Sequence, residues 1–262
     1  GSPNTCQLKG KFYNEEVMLP RHIKADDGFA LFFLHLCKLI ICYLTGNFEQ
    51  AIENGDQCKK YMPRTRGMFI VPIALFYHAL AKLALASQLA KKPQKHHYRT
   101  VRKDLRMLRF WSLHSPENYR HKYLLVEAEL QRCLNKPDLA IENYKQAVQA
   151  AHRNEYVQEE ALANELFAKF WMEQQDKDIA QVYMKNAHHL YQVWGATSKV
   201  IDIKKRYPLL LKRDDVGFEH QFTQQPQHSA VTTTKAASDV LDIDSVMKTA
   251  LAISGEMELN AL

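Results

Sequence analysis

From Asp27 to Arg206 apolar residues return every three or four positions, and the chain breakers fall between these periodic stretches instead of inside them. That is the signature of helices with one buried face. About nine helices are predicted, near 27–44, 48–62, 69–90, 94–111, 117–134, 138–152, 155–174, 176–193 and 196–206, separated by Gly46, Pro63, Gly67, Pro93, Pro116, Pro137 and Gly195. No stretch alternates with a period of two, so no sheet is expected over this region. The scarcity of turn formers agrees, since nine Gly and nine Pro in 262 residues leave little for the frequent tight turns of a β-rich fold.

The connections are short, which turns each helix back antiparallel on the one before it. Three of the resulting hairpins share a frame: TGNFEQA ends at Ala51, NKPDLA at Ala140 and QDKDIA at Ala180, and seven residues after each comes Cys58, Ala147 or Ala187. Ala128, Ala168 and Trp171 precede two of them by one or two turns. Small residues at these spacings let paired helices approach closely, and the pattern resembles the tetratricopeptide family. The step from Ala140 to Ala180 is 40 residues where that family uses 34, and Asn135 and Gln175 stand where it has a turn glycine. The predicted fold is all-α, tetratricopeptide-like antiparallel hairpins stacked as an α-solenoid over residues 3–211; a generic antiparallel helical array is the alternative. Whether residues 3–26 pack on the array is left open.

Composition narrows the class. The longest apolar run, 29–44, is interrupted by His35 and Lys38 and is shorter than the roughly 18–20 residues a bilayer span needs. It reads as a buried helix. Cys6, Cys37, Cys42, Cys58 and Cys133 are few, odd in number and not two residues apart, which argues against a disulfide framework or a zinc site and for a reducing, cytoplasmic location. Gly1-Ser2 reads as a cloning remnant. After Pro208 the chain becomes polar: 212–238 is expected to be a linker, and 239–262 an amphipathic helix capped by Asp239 that leads into a downstream domain. Val240, Ile243, Met247 and Ala250 fit two heptads of a self-pairing helix, hence a homodimer contact.

Longer strings carry a closer resemblance. LKGKFYNEEVMLP (8–20), FEQAIEN (48–54), SPENYRHKYLLVEAEL (115–130), EEALANELFAKF (159–170), IAQVYMKNAHHLYQVWGATSKVIDIKKRYPLLL (179–211) and LDIDSVMKTALAISGEMEL (241–259) together resemble the central region of large multi-sensor hybrid kinases. Such proteins carry a serine/threonine-kinase-like domain, an AAA ATPase, a helical tetratricopeptide-like region, a GAF sensor and a histidine kinase module. The resemblance implies a two-component signal-transduction segment that relays signals or binds a protein, either a neighbouring domain or a signalling partner, and is not itself an enzyme. Alternatives are a regulatory part that contributes to ATP-dependent phosphotransfer, and a free-standing peptide or nucleic-acid adaptor.

The residues point the same way. No two glycines lie two or five apart, so no glycine-rich nucleotide loop or P-loop can be built, and HExxH, CxxC and GxSxG are missing. No cofactor or metal is expected. Adjacent histidines such as His96-His97 and His188-His189 point about 100° apart on a helix and cannot chelate one ion alone. Two surfaces remain. Helical-hairpin arrays bind peptides along the first helix of each hairpin, where Lys122, Glu129, Arg132, Glu165 and Lys169 are expected to face outward as a peptide groove; ordinary exposed charges are the other reading. Residues 91–109 hold eight Lys or Arg and one Asp, against a net charge of +6 for the whole chain. Lys95, Arg99, Arg102, Arg106 and Arg109 share one face there, opposite Tyr98, Val101, Leu105 and Leu108. This is either a docking face for an acidic partner or a solvated face. Nucleic acid is disfavoured because no aromatic on the basic side could stack on a base.

Overall fold

Helices form wherever the three-and-four spacing runs. In the computed structural model, which describes residues 6–65, 67–89 and 91–211, they are α1 (Glu15–Lys24), α2 (Gly28–Leu44), α3 (Phe48–Tyr61), α4 (Ile70–Ala86), α5 (Lys91–His114), α6 (Pro116–Cys133), α7 (Pro137–Arg153), α8 (Val157–Glu173), α9 (Lys177–Val193) and α10 (Thr197–Arg206), with a 3-10 turn at Met62–Thr65. The nine predicted helices correspond to α2–α10, and α1 is additional. Among the described residues there is no strand, only an isolated bridge between Lys9 and Asn14. The predicted linker at 212–238 and the helix at 239–262, with its heptads, lie outside the described residues.

Six connections repeat one construction. After α1, α2, α6, α7, α8 and α9 a single residue takes the left-handed conformation: Asp26, Gly46, Asn135, Glu155, Gln175 and Gly195. Its N–H and that of the next residue turn back onto the last helical carbonyls, as in Asn135 N to Arg132 O and Lys136 N to Gln131 O, both 3.0 Å. This closes helix ends that would otherwise leave carbonyls unpaired. The residue that completes each turn starts the next helix, and where it is Asp27, Asn47 or Asp176 its side chain caps that helix, typically a stabilisation of about 1 kcal/mol. Helix, turn and helix therefore advance in steps of twenty within each run, and two steps give the 40-residue repeat read from the sequence.

The hairpins are α2/α3, α4/α5, α6/α7 and α8/α9, with α10 packed on α9; α2, α4, α6 and α8 also touch in succession, forming an inner row. The small residues of the repeat frame do what their spacing implied. Ala51, Cys58, Ala128, Ala140, Ala147, Ala168, Ala180 and Ala187 are all buried, and Tyr144, Phe167, Phe170 and Tyr191 fill the space around them.

One contact was not anticipated from the sequence. Cys6 and Cys42 are paired as a disulfide, with Cα atoms 5.5 Å apart. The segment before α1 folds back on α2, a closure over 36 residues that cysteine spacing does not reveal. Glu15, at the start of α1, is tied to Lys38 of α2 and accepts the N–H of Leu8 at 3.0 Å, which binds the same segment from its other side.

Candidate functional site

The inner row encloses a cleft of about 230 Å³, closed at one end by α10. Tyr43 and Phe48 enter it from either side of the α2–α3 turn, Glu129 and Arg132 from α6, Glu165, Lys169 and Glu173 from α8, and Lys199 and Arg206 from α10. Helical geometry sets the order along α8, where residues 165, 169 and 173 succeed one another by about one turn, or roughly 6 Å.

The charges fall into two clusters of opposite balance. Arg132 lies between two carboxylates, 2.8 Å from Glu129 and 2.9 Å from Glu173, and Glu129 also accepts a hydrogen bond from the hydroxyl of buried Tyr144. That cluster has one more acid than base. Glu165 has the reverse arrangement: Lys169 lies 2.7 Å away, Lys199 2.8 Å away, and Tyr191 donates its hydroxyl at 2.7 Å. Both Glu165 oxygens are filled, and a surplus ammonium remains. Arg206 is partnered by Asp202 on its own helix.

Titration follows from these contacts. Burial alone would raise the Glu165 pKa, but the ammonium groups of Lys169 and Lys199 outweigh it and hold the carboxyl well below its ordinary range. Burial lowers the Lys199 pKa despite Glu165, whereas the Glu165 charge overcomes burial at Lys169 and raises its pKa. The Glu129 carboxylate raises Arg132 further. Burial and then the Glu129 and Glu165 charges raise the phenols of Tyr144 and Tyr191, so both stay protonated donors.

The predicted groove residues are placed differently from the expectation. Lys122, Glu129 and Glu165 do not face outward: they are 2%, 3% and 1% exposed. The reason is pairing, since a charge can be buried once its partner and hydrogen bonds are buried with it. Glu129, Arg132, Glu165 and Lys169 do come together in the one cleft. Lys122 lies apart from it, between Glu159 at 3.1 Å, the Nε2 of His121 at 2.8 Å and the ring of Tyr156 at 4.3 Å. Burial, then the Lys122 charge, pushes the His121 pKa down to about 2.

Glu173, Lys199 and Arg206 belong to the cleft and were not singled out from sequence. A usable signal existed for Lys199, which sits beside Val200 on the buried side of a short helix. On α5, Lys95, Arg99, Arg102, Arg106 and Arg109 are exposed, while Tyr98, Val101, Leu105 and Leu108 are buried. α5 is longer than predicted at both ends.

No family model, curated protein or solved structure matches the chain. The geometry therefore speaks for itself. Carboxylates saturated by cations are poor bases or nucleophiles, whereas an open cleft with one acid-rich and one base-rich end suits the holding of charged side chains.

Proposed function

We propose that this chain is a helical-repeat interaction segment, acting as a signal relay in a multi-domain sensor kinase, and that the inner-row cleft holds a charged segment of a protein partner or neighbouring domain. The observation that carries the binding reading is the uneven pairing in the cleft. The excess cation around Glu165 and the excess carboxylate around Arg132 are left for a ligand to balance, and they lie along one helix at a spacing a short peptide can bridge. The six strings that resemble multi-sensor kinases support the relay reading and favour a domain of the same protein as the partner.

The test is an array of short charged peptides probed with the labelled chain and with Lys169→Gln. Lys199 and Tyr191 still satisfy Glu165 in that variant, so the surplus cation is removed without setting a second carboxylate against Glu165. Peptides bearing an acidic residue should lose at least tenfold in affinity, about 1.4 kcal/mol; unchanged binding would remove the cleft from consideration. Calorimetric titration with ATP addresses the phosphotransfer alternative, and the interaction reading expects no binding heat.

A further inference from the structure

A second surface lies on α5, away from the charges of the cleft. Beside this helix runs an apolar groove of about 560 Å³, walled by Met62, Met68 and Phe69 from the connection into α4, by Met107 and Trp111 from α5 itself, and by Tyr119 from α6. Phe69 is 53% exposed and Met107 47% exposed, and Phe110 and Leu113 continue the apolar surface along α5. Apolar side chains gathered this way mark interaction sites more often than free surface. The three methionines bring unbranched, polarizable side chains that adapt to a bulky guest.

A cationic stripe runs along α5 beside this groove. Arg99, Arg102, Lys103, Arg106 and Arg109 are exposed, and none takes part in an ion pair among the described residues. The single acid of α5, Asp104, is buried and held by Lys59 at 2.7 Å, so it leaves the exposed face uncompensated. Helical geometry places the two features side by side. Met107 follows Arg106 by about 100° around the axis, with Lys103 and Phe110 between the basic stripe and the groove.

We propose that the groove and the basic stripe of α5 together form a docking surface for an acidic amphipathic segment of a partner protein. Its bulky apolar side chains enter the methionine-lined groove, and its carboxylates meet Lys103, Arg99 and Arg106, the exposed cations of the stripe nearest to Met107 around the helix. Charge complementarity selects this occupant over a neutral apolar peptide, because the exposed cations Lys103, Arg99 and Arg106 beside the groove would be left unmatched. The recessed groove selects it over a polyanion, which would meet the arginines and leave Trp111 and the methionines uncovered. This surface does not depend on the cleft reading.

The test uses the full chain and a fluorescent designed helical peptide of about 18 residues, with Leu and Trp on one face flanked by Glu. Control probes are the same peptide with Leu and Trp changed to Ser, the same peptide with Glu changed to Gln, mixed-sequence duplex DNA, and phosphatidylserine vesicles. Micromolar binding of the acidic apolar peptide is expected, with every control at least about tenfold weaker. Lys103→Glu/Arg106→Glu and, separately, Met107→Asp should each weaken the peptide by about tenfold without lowering the melting temperature, because these side chains are exposed. Equal binding of the polar acidic control, tighter binding of DNA or vesicles, no binding of the acidic apolar peptide, or full affinity in the charge-reversed double variant would each overturn the proposal.

Discussion

The stretch from α6 to α10 and the middle of the chain, from Met62 to His114, are made of similar helices that end in different ways. In the first, α6, α7, α8 and α9 each close on a left-handed residue and the next helix starts at once, at 135, 155, 175 and 195. Counting twenties from Gly46 lands on 126, nine residues short of Asn135, and the surplus lies in the 3-10 turn, the connection behind it and the 24-residue α5. Both regions bury charges in pairs that cross between helices, Glu165 with Lys199 in the first and, in the second, Asp104 with Lys59 of α3. What sets the middle region apart is α5, whose exposed face carries cations with no ion-pair partner among the described residues. Regular steps bring inner helices together so that their charges meet in a cleft; the slipped step leaves a charged helix face on the surface, where a partner can read it.

Substitutions should separate the two regions by size of effect. The largest is expected at Glu165 in the regular part. Glu165→Gln leaves Lys169 and Lys199 without their carboxylate, and chemical denaturation should show a loss of about 3–5 kcal/mol. At the edge of the middle region, Gly55→Ala should cost about 1–3 kcal/mol, because an added Cβ would lie 2.3 Å from the buried imidazole of His78. A smaller loss than that of an exposed Ser→Ala exchange would show that α3 and α4 can move apart.

Acid should also act on the regular part. The His121 pKa is held near 2 in the fold against an ordinary 6.5, so as pH falls the unfolded chain takes up its proton first. This contribution to stability is complete above pH 6.5 and declines below it by about 1.4 kcal/mol per pH unit. Melting curves at pH 7.5 and 5.5 should differ less for His121→Asn than for the parent chain; equal differences would mean that His121 is protonated in the fold.

Next in size are the turns. Gln175 and Glu155 occupy the left-handed conformation at φ of 66° and 60°, which a residue without Cβ adopts freely, so Gln175→Gly and Glu155→Gly should each stabilise by about 0.5–1 kcal/mol. The same exchange at Ser87, where α4 ends in ordinary helical geometry, should not stabilise. The smallest effect belongs to the exposed arginines: Arg102→Ala should move stability by no more than about 0.5 kcal/mol, and a larger loss would mean that the α5 face packs on something within the chain.

This contrast also explains what the sequence disclosed. The helices were legible because three-and-four spacing survives in regular and irregular parts alike, and the burial of Ala128, Ala140, Ala147 and Ala187 followed from their frame. Glu129, Lys122 and Glu165 read as outward because a charge is normally solvated, and part of what lets them be buried comes from other helices. Lys199 is 34 residues from Glu165, and Tyr144 is 15 residues from Glu129. The turn residues hid for a different reason. Asn135, Glu155 and Gln175 take a conformation usually signalled by glycine, so only the 20-residue rhythm could have marked them. The Cys6–Cys42 pair depended on a fold-back with no periodic trace.

The account rests on buried ion pairs that cross between the inner helices and shape the cleft, and a double-mutant cycle on Glu165→Ala and Lys199→Met tests this most directly. Equilibrium denaturation of the four proteins should give a coupling energy of about 2 kcal/mol, within the range seen for residues in direct contact. Additivity within about 0.5 kcal/mol would mean that α10 is not tied to α8 through these charges, and the cleft described here would lose its closing wall.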